Sequence, residues 1–568
     1  MESRNLITIR DIPLNMYNHL LKNGIHPILA KLWSSRGVTD IKQISKKWID
    51  MISPFKMLNI IESANTLADS IINQKKILII ADYDCDGATA CAVAIKSLKS
   101  MNANVDFLVP NRFETGYGLS NKIVDIAYNH KNGKPDIIIT VDNGISSIDG
   151  VRSANEKNIS VIITDHHLPG KILPDALHII NPNQAQCAFP SKNLAGVGVI
   201  FYLMIVLRYI LRKRGIYSHK GGPQLEKLLD LVALGTIADV VKLDDNNRLL
   251  VSKGLQQIRR GNAQKGLNAL IKLLGIDYKN INVDHLGFNI APRINAAGRL
   301  DDISIGIECL ITDDDDVANK NAILLDQINT KRRLIEKTMN QEAIEITKNY
   351  KNHKDKFSIC IYKQEWHQGI IGLIASKLKE KFWKPVFVFA ESSTLEIRGS
   401  GRSIPGINLR NILEQISLEY RILNSFGGHA MAAGVTLNKY NFKIFSEAFE
   451  KIINNIFDSD TFKHIIETDG ALDIEYMNTF TSDLINQEVW GNGFPAPLFF
   501  DEFAVIKQEI LNNSHLKMIL KKNNQLLTAI FFGKCCKISN NIKAVYKLTT
   551  QTWKQKSYFQ LIIIDIIN

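Results

Sequence analysis

The chain has 568 residues, with 69 Lys and Arg against 57 Asp and Glu and a formal charge of +12. That length exceeds what one core can organise and predicts three or four domains. The basic excess fits a polyanionic partner but does not demand one, because an Ile-, Asn- and Lys-rich composition also follows from nucleotide bias. Seven cysteines without framework spacing, two of them the adjacent Cys535 and Cys536, exclude a disulfide scaffold and point to a reducing cytoplasm. The N-terminus reads as no signal peptide, and the most apolar stretch, 194–207, is too short for a bilayer and runs into Arg208, so a soluble chain with a buried core helix is expected.

In chain order, residues 1–54 read as a short helical segment without identifiable chemistry. From 55 to 312, apolar runs alternate with helical periodicity, with helices predicted at 61–72, 88–99, 121–128 and 147–155, a doubly wound α/β sheet. Residues 313–350 contain no Gly or Pro and begin with four acids, Asp313 to Asp316. This predicts one long connecting helix with its acids at the positive end of the dipole. A second, smaller α/β region at 351–455 carries strands at 357–362 and 385–389 around a helix at 369–379. From 456 to 568, segments at 516–520, 526–532, 544–548 and 559–564 alternate as strands and predict a five-stranded barrel.

Three apolar runs end in acids. Ile77-Leu78-Ile79-Ile80 precedes Asp82-Tyr83-Asp84-Cys85-Asp86-Gly87; Ile137-Ile138-Ile139-Thr140 precedes Asp142-Asn143-Gly144; Val161-Ile162-Ile163-Thr164 precedes Asp165-His166-His167. Runs of this kind are buried parallel strands, and ligands of open parallel sheets bind beyond the strands' carboxyl ends. Alone, Asp82, Asp84 and Asp86 read as a solvated acidic turn or a helix cap and Asp142 is unremarkable, whereas Asp165-His166-His167 at a third acid-ended strand is harder to read as surface chance. Together they crowd carboxylates that cannot all ionise without a strong local cation. Hard carboxylates suit Mg2+ or Mn2+, and the imidazoles tilt the choice to Mn2+. Adjacent histidines face different ways, so one serves as ligand and the other meets a phosphate or moves a proton. Asp239 lies in an apolar stretch where an unpartnered carboxylate is costly. Four acid sites and two histidines suffice for two ions, the arrangement that supports in-line displacement at phosphorus.

These four motifs, the fourth being Gly235-Thr236-Ile237-Ala238-Asp239, resemble in order those of the DHH phosphoesterase superfamily, and specifically its single-strand-specific nucleases. The resemblance implies a DHH domain, a DHH-associated domain and a C-terminal OB-fold. It implies two Mn2+ or Mg2+ ions on Asp84, Asp86, Asp142, His166 and Asp239, with Asp142 bridging and Asp82 completing the first motif. Asp165 would orient its neighbour and His167 would face the scissile phosphate. It further implies DNA contact by Arg112 in the loop 110–118. Arg299, read as a phosphate contact rather than an ion pair, and Arg293, open to either reading, follow in 293–299. A 5′-phosphate pocket is expected at Ser400 and Arg402, with His429 on substrate. Lys517, Lys521, Lys522, Trp553 and Lys554 would offer charge and stacking faces, while Phe559 reads better as core. Two positions depart from the family pattern, Phe494 where Asn is usual and Cys85 where Ala is common. The implied activity is 5′-to-3′ digestion of single-stranded DNA to 5′-mononucleotides by a monomer, in repair and recombination, with a single-strand-binding protein and a RecQ-type helicase as partners. A phosphoesterase for short oligonucleotides or small phosphate esters is the alternative.

Overall fold

The computed structural model describes residues 6–110, 118–218, 221–349, 356–456, 465–553 and 556–567. They form two compact bodies, one of residues 9–328 with 468–566, the other essentially 329–467.

In the first body, five parallel strands run in the order Asn104–Leu108, Lys76–Ala81, Ile137–Val141, Ser160–Thr164 and His178–Ile180. The three acid-ended runs of the sequence are thus neighbours at the centre of the sheet. The chain passes from Lys76–Ala81 to the edge strand and then crosses to Ile137–Val141, so the order reverses between those two strands. That switch point is where an open α/β sheet takes its ligand. Helices Ile60–Ile72, Cys85–Ser100, Asn121–Tyr128 and Ile148–Glu156 fall within a few residues of the predicted spans. The apolar stretch is the helix Gly196–Lys213, buried along most of its length, as a helix hydrophobic all round must be.

The C-terminal segment closes a five-stranded barrel from Phe499–Leu511, His515–Lys522, Gln525–Phe532, Asn541–Trp553 and Lys556–Ile567. Its inward residues, among them Phe499, Leu520 and Leu561, belong to the same hydrophobic core as the helices over the parallel sheet. The N-terminal segment fastens this union. Arg36 grips Asp469 with two bonds of 2.7 and 3.0 Å, donates to the Pro495 carbonyl and lies over the Trp490 ring.

The helix Asp315–Asn349 is continuous over 35 residues. Sequence reading left it little core of its own. Instead a stripe of Ala318, Ala322, Leu325 and Ile328, then Met339 and Ala343, is buried, half of it alanines that let neighbours approach. The second body holds a mixed sheet ordered Leu423–Gly428, Ala432–Asn438, Glu396–Arg402, Val386–Glu391 and Ile359–Tyr362, over a core rich in Phe387, Phe389, Phe445 and Phe449.

Candidate active site

Asp82, Asp142 and Asp165 each follow the last residue of a parallel strand, and sheet register alone brings them to one edge. Asp142 takes a left-handed backbone, φ 63°, which turns the chain sharply out of the sheet. Asn143 bridges the strands there by donating to the carbonyls of Ile80 and Val141. Asp84 caps the helix Cys85–Ser100 by accepting from Gly87 N at 3.0 Å. Asp86, inside the helix's first turn, accepts from the backbone N–H groups of Gly196 (2.6 Å) and Val197 (3.0 Å), the start of the long buried helix.

His166 Nε2 stands 3.1 Å from Asp142 Oδ1 and 3.4 Å from Asp239 Oδ2. Asp239 comes from the C-terminal end of the helix Leu229–Ala238. Asp165 is buried, and its Oδ1 accepts from both histidine backbone N–H groups and pairs with His167 Nδ1 at 2.7 Å, while Oδ2 accepts from Ile145 N. The neighbour whose ring Asp165 orients is therefore His167. The rings of His166 and His167 lie 4.6 Å apart and are tilted by 52°, His166 lying against Asp142 and Asp239 and His167 against Asp165.

The electrostatics are strained. Burial, then the charge of Asp84, pushes Asp82 up to about 8; the same two causes lift Asp86 to about 7 despite its two backbone donors. Burial, then the charge of Asp86, holds Asp142 and Asp239 well above the ordinary carboxylate range. Asp165 goes the other way. Burial would raise it, but the bond and charge of His167 outweigh that and keep it low. Burial likewise opposes a charge on His167, and the bond to Asp165 overcomes it and raises the imidazole to about 9.

Among the described residues, Oδ1 of Asp142 and Oδ2 of Asp239 are buried and receive no hydrogen bond. Three sets of potential ligand atoms each fall within 4.8 Å of one another: Asp82 with Asp84 and Asp142, Asp142 with His166 and His167, and Asp86 with His166 and Asp239. Asp142 belongs to two of them. Buried acceptors without donors, raised carboxyls and a shared aspartate are what a site for two hard divalent cations requires. The donor set fits Mn2+ or Mg2+.

Other expectations fare unequally. Arg293 is a structural ion-pair partner: its guanidinium contacts Asp326 Oδ1 at 2.7 and 2.9 Å and donates to the Asn289 carbonyl, with 8% of its side chain exposed. The small residues around Arg299 serve the protein's own backbone, since a Cβ on Gly298 would lie 1.9 Å from the Tyr83 carbonyl oxygen. Arg299 itself is half-buried on the helix Ala291–Leu300. Arg112 lies outside the described residues. In the second body, Ser400 Oγ accepts from Arg402 Nη1 at 3.2 Å, on a strand paired with Ala432–Asn438. Gly372, at the start of the helix Ile371–Phe382, abuts both. His429 is exposed in the hairpin next to that strand.

Lys522 is not a free cation for nucleic acid. It pairs with Asp501 at 2.6 Å and donates to the Leu472 carbonyl, and Asp501 also accepts from Tyr546. Lys517 and Lys521 are exposed and Phe559 packs on the core. Lys554 and the Trp553 side chain lie outside the described residues. Cys85 is buried, and its N–H donates to Asn295 Oδ1. Phe494 unsettles nothing: it is buried, stacks on Trp490 at 5.3 Å and takes the Arg248 guanidinium over its face at 4.0 Å. Sequence reading missed Asn295, the donors Gly196 and Val197, and Asn181 and Asn183, which donate to the carbonyls of His167 and His166. Asn295 alone had a signal, as the one side chain besides arginine in its motif able to reach a backbone group.

Residues 76–236 match the DHH family, N-terminal domain; 355–455 match the DHHA1 domain; and 468–565 match the RecJ OB domain. Fold and site thus define a DHH-type protein with its associated domain. The single-stranded-DNA-specific exonuclease RecJ of Haemophilus influenzae is 39% identical over 574 residues, 99% of this chain and 98% of that one. Its Escherichia coli counterpart is 40% identical over 95% and 96%. The crystal structure of RecJ in complex with Mn2+ from Thermus thermophilus superposes with a TM-score of 0.84 at 25% identity, covering 100% of this chain and 80% of that one. Exonuclease RecJ bound to manganese gives 0.59 at 30% identity, over 71% and 96%. The chain belongs to the RecJ family.

Proposed function

We propose that this protein is a metal-dependent 5′-to-3′ exonuclease specific for single-stranded DNA, releasing 5′-mononucleotides. The observation that carries the reading is the edge where Asp142 and Asp239 present undonated buried oxygens to His166. Asp84, Asp86, Asp142, His166 and Asp239 would hold two Mn2+ or Mg2+ ions, with Asp142 shared and Asp82 beside it. When bound, such ions polarise a phosphate oxygen and ready a water for in-line attack.

The chain's own groups set the rest. Gly196 and Val197 N–H hold Asp86 in one orientation, so a ligand does not reorganise during turnover. Asp165 fixes His167 and favours its cationic form below about 9, which suits it to donate to a non-bridging oxygen as charge builds there. Ser400 and Arg402 would receive the terminal 5′-phosphate, with His429 and Arg299 on the strand's backbone. Unpaired substrate is chosen by width, without reading bases. Lys517 and Lys521 on the barrel would hold the strand between cuts. The family places such an enzyme in DNA repair and recombination. We extend this to a cytoplasmic monomer acting with a single-strand-binding protein and a RecQ-type helicase.

The test is digestion of one 5′-labelled and one 3′-labelled single strand with added Mn2+. Immediate loss of the 5′ label as mononucleotide, with the 3′ label retained in shortening products, supports the reading. Activity that survives Asp142→Ala, or that shows the opposite polarity, refutes it.

A further inference from the structure

The residue after Asp239 is conformationally improbable. Val240 has φ 58° and is 64% exposed. A β-branched side chain is disfavoured in that left-handed region, and an exposed one gains little packing to compensate. Residues 240–243 join the helix that delivers Asp239 to the next one, Asp245–Arg259. Asp239 N bonds to Gly235 O at 3.0 Å and Val240 N to Ile237 O at 3.3 Å, so a relaxation at Val240 would reach the Asp239 carboxylate by fraying this last helical turn.

A turn some 250 residues later clamps this linker. Asn492 donates from Nδ2 to the Val240 carbonyl at 2.8 Å, and its own carbonyl accepts from Leu243 N at 2.8 Å. The turn is closed by reciprocal backbone bonds between Gly491 and Phe494, with Gly493 at φ 72°. Its glycines are there for contact: a Cβ on Gly491 would meet Leu243 at 2.6 Å, and one on Gly493 would meet Lys242 at 2.5 Å. Phe494 anchors the turn between Trp490 and Arg248, and Arg248 in turn donates to the Leu243 carbonyl. Asn247 holds the Lys242 carbonyl. The one bond from outside the catalytic segment to the Val240 carbonyl among the described residues is that of Asn492.

We propose that Asn492 is a positioning residue for Asp239: its amide keeps Val240 left-handed, and so makes the C-terminal segment part of the metal centre. The inference rests on the reading of Asp239 as a metal ligand. Substitution to alanine removes the side-chain bond and leaves the turn's backbone bonds in place. Glycine at 240 removes the steric cause of the strain, so it should make the clamp dispensable.

Mn2+ binding to the full chain is measured by calorimetry, with unfolding followed separately in chelator. Asn492→Ala should weaken binding at one site roughly ten- to hundred-fold, as loss of a supporting bond around a ligand does, while the chelated protein melts as wild type does. Val240→Gly with Asn492→Ala should recover affinity to within about threefold, the size of an ordinary surface effect. Binding unchanged in Asn492→Ala, or weakened without rescue by Val240→Gly, overturns the proposal. Asp239→Ala separates the two levels. If it loses one ion while Asn492→Ala loses none, only the positioning role falls. If it binds both ions as wild type does, the ligand reading falls.

Discussion

Gly196→Ala tests the site through a residue that bears no functional group. Gly196 opens the long buried helix and its N–H donates to Asp86. Its φ is not in the left-handed region, so alanine fits the backbone and the effect is purely steric. The added Cβ would lie 2.5 Å from Asp142 Cβ and 2.6 Å from Asp142 Oδ1. Ordinary contact needs close to 3.5 Å, so one partner must yield by roughly 1 Å. The helix is buried along most of its length and Asp142 stands at a strand end, so the carboxylate moves. A displacement of about 1 Å costs roughly 100-fold in rate, while the overpacking costs about 1–3 kcal/mol of stability. The assay is Mn2+-dependent hydrolysis of a 5′-labelled single strand, beside urea unfolding in chelator. Gly170→Ala, where a Cβ meets nothing nearer than 3.6 Å, is the control. A Gly196→Ala enzyme with kcat/KM within about threefold of wild type would refute the claim that this helix start sets the position of Asp142.

Four further outcomes are expected. Asp230 is buried in the helix Leu229–Ala238, and burial raises it from 3.8 to about 7. An acid raised in the fold keeps its proton where the unfolded chain has lost it, so stability falls as pH rises from about 4 to about 7 and is level above that. Asp230→Asn should therefore gain on wild type across that window, by at most about 4 kcal/mol at pH 8; unfolding midpoints whose difference is the same at pH 4 and pH 8 would contradict this. Lys522→Met breaks a pair whose side chains are 16% and 6% exposed and should cost about 3 kcal/mol without changing the salt dependence of single-strand binding. Lys517→Ala with Lys521→Ala should leave stability within about 0.5 kcal/mol and flatten that salt dependence; the reverse assignment of effects would show that Lys522 is the DNA contact. Asp165→Asn should lower the imidazole pKa of His167 towards its ordinary value, read by NMR titration in chelator; a His167 still near 9 would show that Asp165 does not govern it.

Local sequence carried the parts of this protein that depend on neighbours in the chain. Parallel strands announce themselves as apolar runs, because both faces are buried, and their ends were visible where Asp82, Asp142 and Asp165 begin. The long helix was legible from its lack of Gly and Pro and its acidic start, and the barrel strands from their alternation. Cys85 and Phe494 were legible only as departures, and their environments turned out to be a backbone bond to Asn295 and a stack with Trp490 and Arg248.

What remained hidden is partnership at distance. Gly196 reaches Asp86 across 110 residues, Asn295 reaches Cys85 across 210, and Asn492 reaches Val240 across 252. No periodicity encodes such pairs, because a backbone N–H or a single amide has the same local appearance wherever it bonds. Arg293 and Lys522 make the point from the other side: each looks like a phosphate contact in sequence, and each is neutralised by an aspartate that only folding brings within 3 Å. Sequence by itself determined which elements form and that acids gather at the carboxyl edge of the sheet, since side-chain period and burial are local properties. Tertiary structure decided which of those acids lack donors, which histidine Asp165 holds and which cations remain exposed, because charge and hydrogen bonding depend on what surrounds a group in space.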